Sequence, residues 1–177
     1  TVNDETPLIL ACKKNNNALI DLLLSLGADI NFGTSGKFPL TEAWQGPGGQ
    51  PLFERLLSLG ATVNAEDEIG NNPLMFAAEN GFVDLTEDLI SRGANVNETK
   101  VRKHALNVAC QFGQVDVVDK LLAAGSTVNF VGRDGETPLF HAIKKQHLGI
   151  IDRLVIHGAD FQSHDRHGST PLHISCA

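Results

Sequence analysis

Methionine is nearly missing from this chain: Met75 is the only one in 177 residues. No residue stands as an initiator, so a segment of a longer polypeptide is expected. The first ten residues, TVNDETPLIL, lack the basic stretch that opens a secretory signal. Nowhere does an apolar run approach the ~18 residues of a membrane span, and insertion into a bilayer is not expected. Positive charge is short as well. Against 21 Asp and Glu there are 14 Lys and Arg, for a formal charge of -7. That balance argues against a general nucleic-acid binder, which must meet many phosphates. There is no Gly-x-Ser-x-Gly elbow, no Gly-rich phosphate loop closed by Lys-Ser/Thr and no His-Glu-x-x-His. No enzyme activity and no cofactor are expected.

What the chain does have is a period. Pro-Leu recurs at Pro7, Pro39, Pro73, Pro138 and Pro171, with Ala105-Leu106 filling the gap, in steps of 32, 34, 32, 33 and 33. A glycine followed by a small residue falls at Gly27, Gly60, Gly93, Gly125 and Gly158, in steps of 33, 33, 32 and 33. Two independent markers with one period define stacked units. Within each, Thr-Pro suits a helix start, with the Thr as cap and the Pro at the first helical position. Small residues follow, as in Ala11-Cys12, Ala77-Ala78 and Ala109-Cys110, and let a neighbouring helix come close. Asn15, Gly81, Gly113 or Gln146 ends that short helix. A second helix with apolar spacing comes next, as in VDVVDKLLAAG (115–125), and the glycine marker closes it.

These residues, DGETPLFHAIKKQHLGIIDRLVIHGAD (134–160) above all, resemble the ankyrin repeat. The resemblance covers essentially the whole chain. It implies an all-α repeat, an ankyrin solenoid of five full repeats plus the first half of a sixth, with β-turn fingers. The units would be 1–31, 32–64, 65–97, 98–129, 130–162 and a partial 163–177, in a single domain 1–177. It also implies that another protein binds along the concave face of fingers and first helices. Because the sixth unit stops after one helix and neither end carries a polar cap, further repeats are expected beyond Ala177.

Cys12, Cys110 and Cys176 share one register, five residues past the Pro position, and read as buried small hydrophobes in a reducing compartment, cytoplasmic or nuclear. They are too many repeats apart for disulfides. His164, His167, His173 and Cys176 have a zinc-like spacing, but the repeat frame scatters them over finger and helix. The resemblance makes His173 the partner of the turn Thr170. Asp84, Asp88, Asp116 and Asp119 on second helices read as a solvated face.

Ten of the fourteen basic residues fall on fingers or first helices. Among them Lys100, Lys103, Arg133, Lys144 and Lys145 would let repeats four and five meet an acidic segment of a partner. The competing reading is plain solubilising charge. In the ankyrin pattern the two residues after the small pair face the groove: Lys13-Lys14, Gln45-Gly46, Glu79-Asn80, Gln111-Phe112 and Lys144-Lys145. Phe112 is the large apolar exception, and Ile69 and Val101 stand similarly at fingertips; aromatic groups there are typical binding anchors. Trp44 is stranger still. It falls where other repeats have Cys12, Ala78, Cys110 or Ile143, and Pro39 to Gly60 is one residue longer than the matching span elsewhere. A first helix cut short, a GPGG loop (46–49) and a second helix restarting at Pro51 are expected. Trp44 then either plugs the space with Leu52 and Phe53 or anchors a ligand.

Asn31, Asn64, Asn97 and Asn129 each follow a leucine by eight residues, and Leu23…Asn31 resembles the recognition pattern of an asparaginyl hydroxylase. Bracing of the turn is the alternative. The expected function is a protein-binding module within a larger scaffold, adaptor or receptor. Two other readings stay open: nucleotide-type ligand sensing through Trp44, Phe112, Lys100 and Lys144, or a cytosolic regulatory domain of a channel or enzyme.

Overall fold

The computed structural model describes residues 5–34, 36–45, 49–98 and 103–175. They form eleven α-helices and, among these residues, no strand beyond an isolated bridge between Thr34 and Lys37. No helix among them is long and apolar enough to cross a membrane. The chain divides into two compact units, Thr1–Pro73 and Leu74–Ala177.

The first unit holds α1 (Pro7–Lys13), α2 (Asn17–Ser25), α3 (Pro39–Gln45) and α4 (Gly49–Ser58). Thr6 is extended and its hydroxyl accepts from Ile9 N at 3.2 Å, with Pro7 opening the helix behind it. Such a cap is worth about 1 kcal/mol. Asn15 turns left-handed at φ 50° to stop α1, and Asn16 then caps α2 by accepting from Leu19 N at 3.1 Å. Helix α1 packs on α2 and α3, and α3 on α4. The small Ala11, Cys12 and Ala43 are fully buried between them, with Leu8, Ile9, Leu40, Phe53 and Leu56 filling the core.

Repeat two corrects one expectation. Helix α3 spans 7 residues, the same as α1, so it is not cut short. Nor does Pro51 restart the second helix: α4 begins at Gly49 and runs 10 residues. Pro51 sits in its first turn, where an N–H would have no partner inside the helix anyway. Residues 46–48 of the GPGG stretch lie outside the described residues. Repeat two also lacks a capping threonine, since Phe38 precedes Pro39. Thr41 Oγ1 substitutes by accepting from Phe38 N at 2.9 Å.

The second unit holds α5 (Pro73–Asn80, starting at the junction), α6 (Val83–Ser91), α7 (Ala105–Phe112), α8 (Val115–Ala123), α9 (Pro138–Lys144), α10 (Leu148–Ile156) and α11 (Pro171–Ser175). First helices pack on first helices, α7 on α9 and α9 on α11; second helices do likewise, α6 on α8 and α8 on α10. Each unit's regularity comes from its turns. The closing glycines Gly27, Gly60, Gly93, Gly125 and Gly158 all sit at φ between 81° and 95°, which a residue with a Cβ resists.

Within each unit, asparagine side chains then tie closing turns to the ones that follow. Asn31 Nδ2 donates to Gly60 O at 3.1 Å while its Oδ1 accepts from Thr62 N at 2.8 Å. Asn97 does the same with Gly125 O and Thr127 N, at 3.0 and 2.8 Å. Asn129 repeats it with Gly158 O and Asp160 N, at 3.1 and 2.8 Å. One primary amide thus satisfies a donor and an acceptor that helix ends leave over. This bracing fixes the spacing at which successive fingers are presented.

Candidate functional site

Four described fingers project from the helices, closed by backbone hydrogen bonds: Thr34 with Lys37, Asp67 N to Asn71 O, Gly132 N to Glu136 O and Asp165 N to Ser169 O. Consecutive fingers touch through glycine. A Cβ on Gly36 would lie 2.7 Å from Glu68 N, and one on Gly135 would lie 2.8 Å from Arg166 N. Both glycines also have positive φ, so the fingers approach this closely only because side chains are missing there.

The residues after each small pair are exposed wherever they are described: Lys13, Lys14, Gln45, Glu79, Asn80, Gln111, Phe112, Lys144 and Lys145. Exposure at these positions follows the repeat register. Ile69, in the first unit, is 70% exposed at its fingertip, and Phe112, in the second, is 47% exposed at the end of α7. Trp44 is half-buried on α3, its ring 5.8 Å from that of Phe53 at a 41° tilt. The equivalent Cys12, Ala78 and Cys110 are fully buried.

The charged candidates of the second unit behave differently from one another. Lys144 is paired with Glu136, and Arg166 Nη1 lies 3.0 Å from Asp134. Lys145 has no partner among the described residues. Arg133 is exposed and Lys103 half-buried. Glu79 gives its carbonyl to Gln114 Nε2 at 3.1 Å, which holds the end of α5 to the next repeat. Lys100 and Val101 lie outside the described residues, as does Cys176.

Behind Lys103 sits a buried histidine. His104 takes the capping place of α7, is 1% exposed and stacks on Phe130 with centroids 4.5 Å apart. Its Nε2 meets Asn97 Oδ1 at 3.1 Å, whereas Nδ1 has no hydrogen-bond partner. Burial lowers its pKa from 6.5 to about 4. His141, on α9, is also lowered, by burial first and against the pull of Glu136. Burial pushes the Cys12 thiol up to about 12 and the Cys110 thiol higher still, so both are inert free thiols. His173 Nδ1 is bound to Thr170, 2.8 Å from its hydroxyl, as the repeat pattern implied.

Sequence reasoning missed a group of charges in the first unit. Glu5 Oε1 is shared by Lys13 Nζ at 3.2 Å and Lys37 Nζ at 3.1 Å, and hydrogen bonds from Lys37 and Lys13 hold the Glu5 carboxyl below its usual value. Glu42, on α3, is buried beside them. The one signal in the sequence was its position: three residues past Pro39, where other repeats carry Leu10, Phe76, Val108, His141 and Ile174.

A family model of ankyrin repeats (3 copies) matches residues 1–67, 45–131 and 106–177. Ankyrin repeat and KH domain-containing protein mask-1 of Caenorhabditis elegans is 32% identical over 179 residues, covering 97% of this chain and 7% of its own. Ankyrin repeat domain-containing protein SAT10 of Stachybotrys chartarum is 30% identical over 160 residues, covering 90% and 8% respectively. Ankyrin repeat and SOCS box protein 6 of Pongo abelii is 37% identical over 102 residues, covering 53% and 24%. The chain thus spans a small part of the curated relatives it matches. Ankyrin repeats are in general modules that bind other proteins, and not enzymes. Period, helix pairs, glycine turns and these matches agree: the chain belongs to the ankyrin-repeat family, an all-α repeat solenoid.

Proposed function

We propose that the chain is a non-enzymatic recognition module that binds a segment of another protein on its finger and first-helix surface, within a larger scaffold, adaptor or receptor. The observation that carries this is the set of large apolar side chains left in water on fingers and first helices, with Ile69 at a fingertip and Phe112 at the end of α7 among them. Each occupies a position where a polar residue would be cheaper. Aromatic and aliphatic anchors on a rigid frame are what a binding surface supplies, because little side-chain entropy is lost on contact. In the second unit, Lys145 and Arg133 support an acidic segment of the partner as the occupant facing repeats four and five. The buried thiols Cys12 and Cys110 support a reducing compartment, cytosol or nucleus.

A library of displayed peptides selected on the 177-residue chain tests this. Peptides should be recovered whose affinity falls at least ten-fold with Phe112→Ala or Ile69→Ala. Leu148→Ala, an exposed apolar group on a second helix, should leave it unchanged. Selected peptides indifferent to both anchor substitutions would sink the reading. Asn31 belongs to the same proposal as a hydroxylation site, supported by its exposure and by Leu23 eight residues before it. Mass spectrometry of protein made in animal cells should find one added oxygen at Asn31; its absence would remove that site.

A further inference from the structure

Between α1, α3 and the finger at 65–72, the first unit holds a cleft of about 440 Å³, lined by Lys13, Lys37, Glu42, Gln45, Glu68 and Ile69 among others. Glu42 is 6% exposed. Its carboxylate accepts no hydrogen bond from any described residue, and its one ion contact among them is Lys13 Nζ, 3.8 Å from Oε2. A carboxylate removed from water and short of donors is costly, and the cost is relieved by whatever brings donors to it.

The charges already in the cleft relieve it only in part. Lys13 and Lys37 converge on Glu5, and Lys37 turns its remaining contact to Glu68 at 3.4 Å. Asp67, the other acid of the wall, is spent on its own finger, accepting from Ile69 N at 3.0 Å, Asn71 N at 2.7 Å and Asn71 Nδ2 at 2.9 Å. Four carboxylates therefore surround two ammonium groups, and the most buried of the cleft's own acids has the poorest set of donors. The cleft lacks positive charge and N–H groups at the place where Glu42 sits.

We propose that this cleft receives an arginine side chain presented by the bound protein, with the guanidinium donating to Glu42. The inference rests on the recognition reading above and names a side chain that the bound protein must carry. Arginine suits the site better than lysine for two reasons. Its five N–H groups supply donors to more than one acceptor, with the Gln45 amide oxygen available besides Glu42, and its guanidinium gives up water more readily than an ammonium. A lysine would add a third strongly hydrated point charge beside Lys13 and Lys37. Exposed Ile69 offers apolar surface to the methylene stem.

The test is a titration of the 15N-labelled 177-residue chain with three hexapeptide pools, identical except for arginine, citrulline or lysine at a fixed central position. The arginine pool should shift the amides of Glu42, Gln45 and Ile69 and bind at least ten-fold more tightly than the citrulline pool. Glu42→Gln should reduce that preference below two-fold while leaving the other amides in place. Should that variant not fold, Glu68→Gln on the exposed rim replaces it, with an expected two- to three-fold loss of preference. Equal binding of arginine and citrulline pools, no binding of the arginine pool, shifts confined to other surfaces, or equal preference for lysine would each overturn the proposal. Any of these leaves the selection on Phe112 and Ile69 free to succeed, so the two readings fail separately.

Discussion

Trp44 and Cys110 stand at the same place in their repeats, five residues past the one that opens the first helix, and they meet opposite surroundings. Cys110 is sealed at 0% exposure on α7. Trp44 keeps part of its indole in water and rests the remainder on Phe53. The difference is not in helix length, since α3 matches α1. It lies further along the repeat, because repeat two carries one extra residue before its closing glycine and a second helix of 10 residues, where α8 has 9. Ile143, at the same place in a repeat of ordinary length, is also half-buried, so this register admits larger side chains, and the indole of Trp44 is its extreme case beside a rebuilt connection.

The sharpest way to break this comparison is to move the indole. Cys110→Trp places it in a repeat with no rebuilt connection, and overpacking there should cost about 3 kcal/mol or more. For a chain of this size that is a fall in Tm of roughly 10 °C, read by circular dichroism. A variant melting within about 2 °C of the parent would show that the first-helix layer of the second unit is soft, and the contrast with Trp44 would lose its meaning.

The two units should also separate along the pH axis. His104 is neutral when folded, because burial holds its pKa near 4 against 6.5 in an open chain. The unfolded state therefore takes up the proton first. Its contribution is complete above about pH 6.5, and it declines as the pH falls toward 4, by roughly 3 kcal/mol in all. His141, lowered for the same reason, acts in the same direction and the same unit. Glu5 works the other way in the first unit. Its carboxyl is held below 4.5, so its contribution is present above that value and is lost only as the pH drops beneath it. Between pH 6.5 and 4.5, urea midpoints followed by helicity should fall in the parent and flatten in His104→Thr. The fluorescence of Trp44, the chain's one tryptophan, should move little until below 4.5. An unchanged slope in His104→Thr would assign the acid sensitivity elsewhere.

Trp44→Cys converts the unusual repeat to the ordinary side chain and should cost about 2 kcal/mol. The lost packing is that of a half-buried ring on Phe53, short of the 3–5 kcal/mol of a fully buried one. If peptides selected on the chain keep their affinity for the refolded variant, Trp44 is a plug. If affinity falls ten-fold or more while stability falls less than about 1 kcal/mol, it is an anchor.

Turn positions are legible in the sequence because a left-handed backbone leaves few choices of residue. The closing glycines and Asn15 have the positive φ that their types imply, and Gln146 shares it by its place in the repeat, not by its type. Burial of Cys12 and Cys110 comes from register, whereas the bond between His173 and Thr170 is what the ankyrin resemblance implies. What sequence does not supply is the partner of each charge. Lys144 and Lys145 look alike as neighbours, yet one meets Glu136 from the preceding finger and the other meets no described group, because side-chain reach across a finger is set by the fold. Glu42 hides for the same reason. A glutamate in a short helix reads as solvated until the next repeat's finger is placed over it. The length of α3 escapes the sequence because a Gly/Pro-rich stretch can either consume the helix before it or lengthen the connection after it, and composition alone does not choose.

The adjacent lysines give the finest division of the second unit from the first. Neither should matter to stability: Lys144→Ala and Lys145→Ala should each stay within about 0.5 kcal/mol of the parent, since exposed ion pairs contribute little. They should differ toward an anion. The charge of Lys144 is already answered by Glu136, so removing it frees a carboxylate and leaves the local field more negative by one charge. Removing Lys145 subtracts the same charge but frees nothing that was paired, and takes away an ammonium able to meet an incoming carboxylate directly. With hexaglutamate as the probe, Lys145→Ala should weaken binding about two- to three-fold at low salt, and Lys144→Ala less. Both effects should shrink as ionic strength rises past 0.15 M, where the screening length falls to about 8 Å. The same peptide should not engage the cleft of the first unit, whose carboxylates outnumber its lysines. Hexaglutamate shifts at Glu42 or Ile69 would erase the difference in charge between the two surfaces, and with it the case that the first unit's cleft takes an arginine.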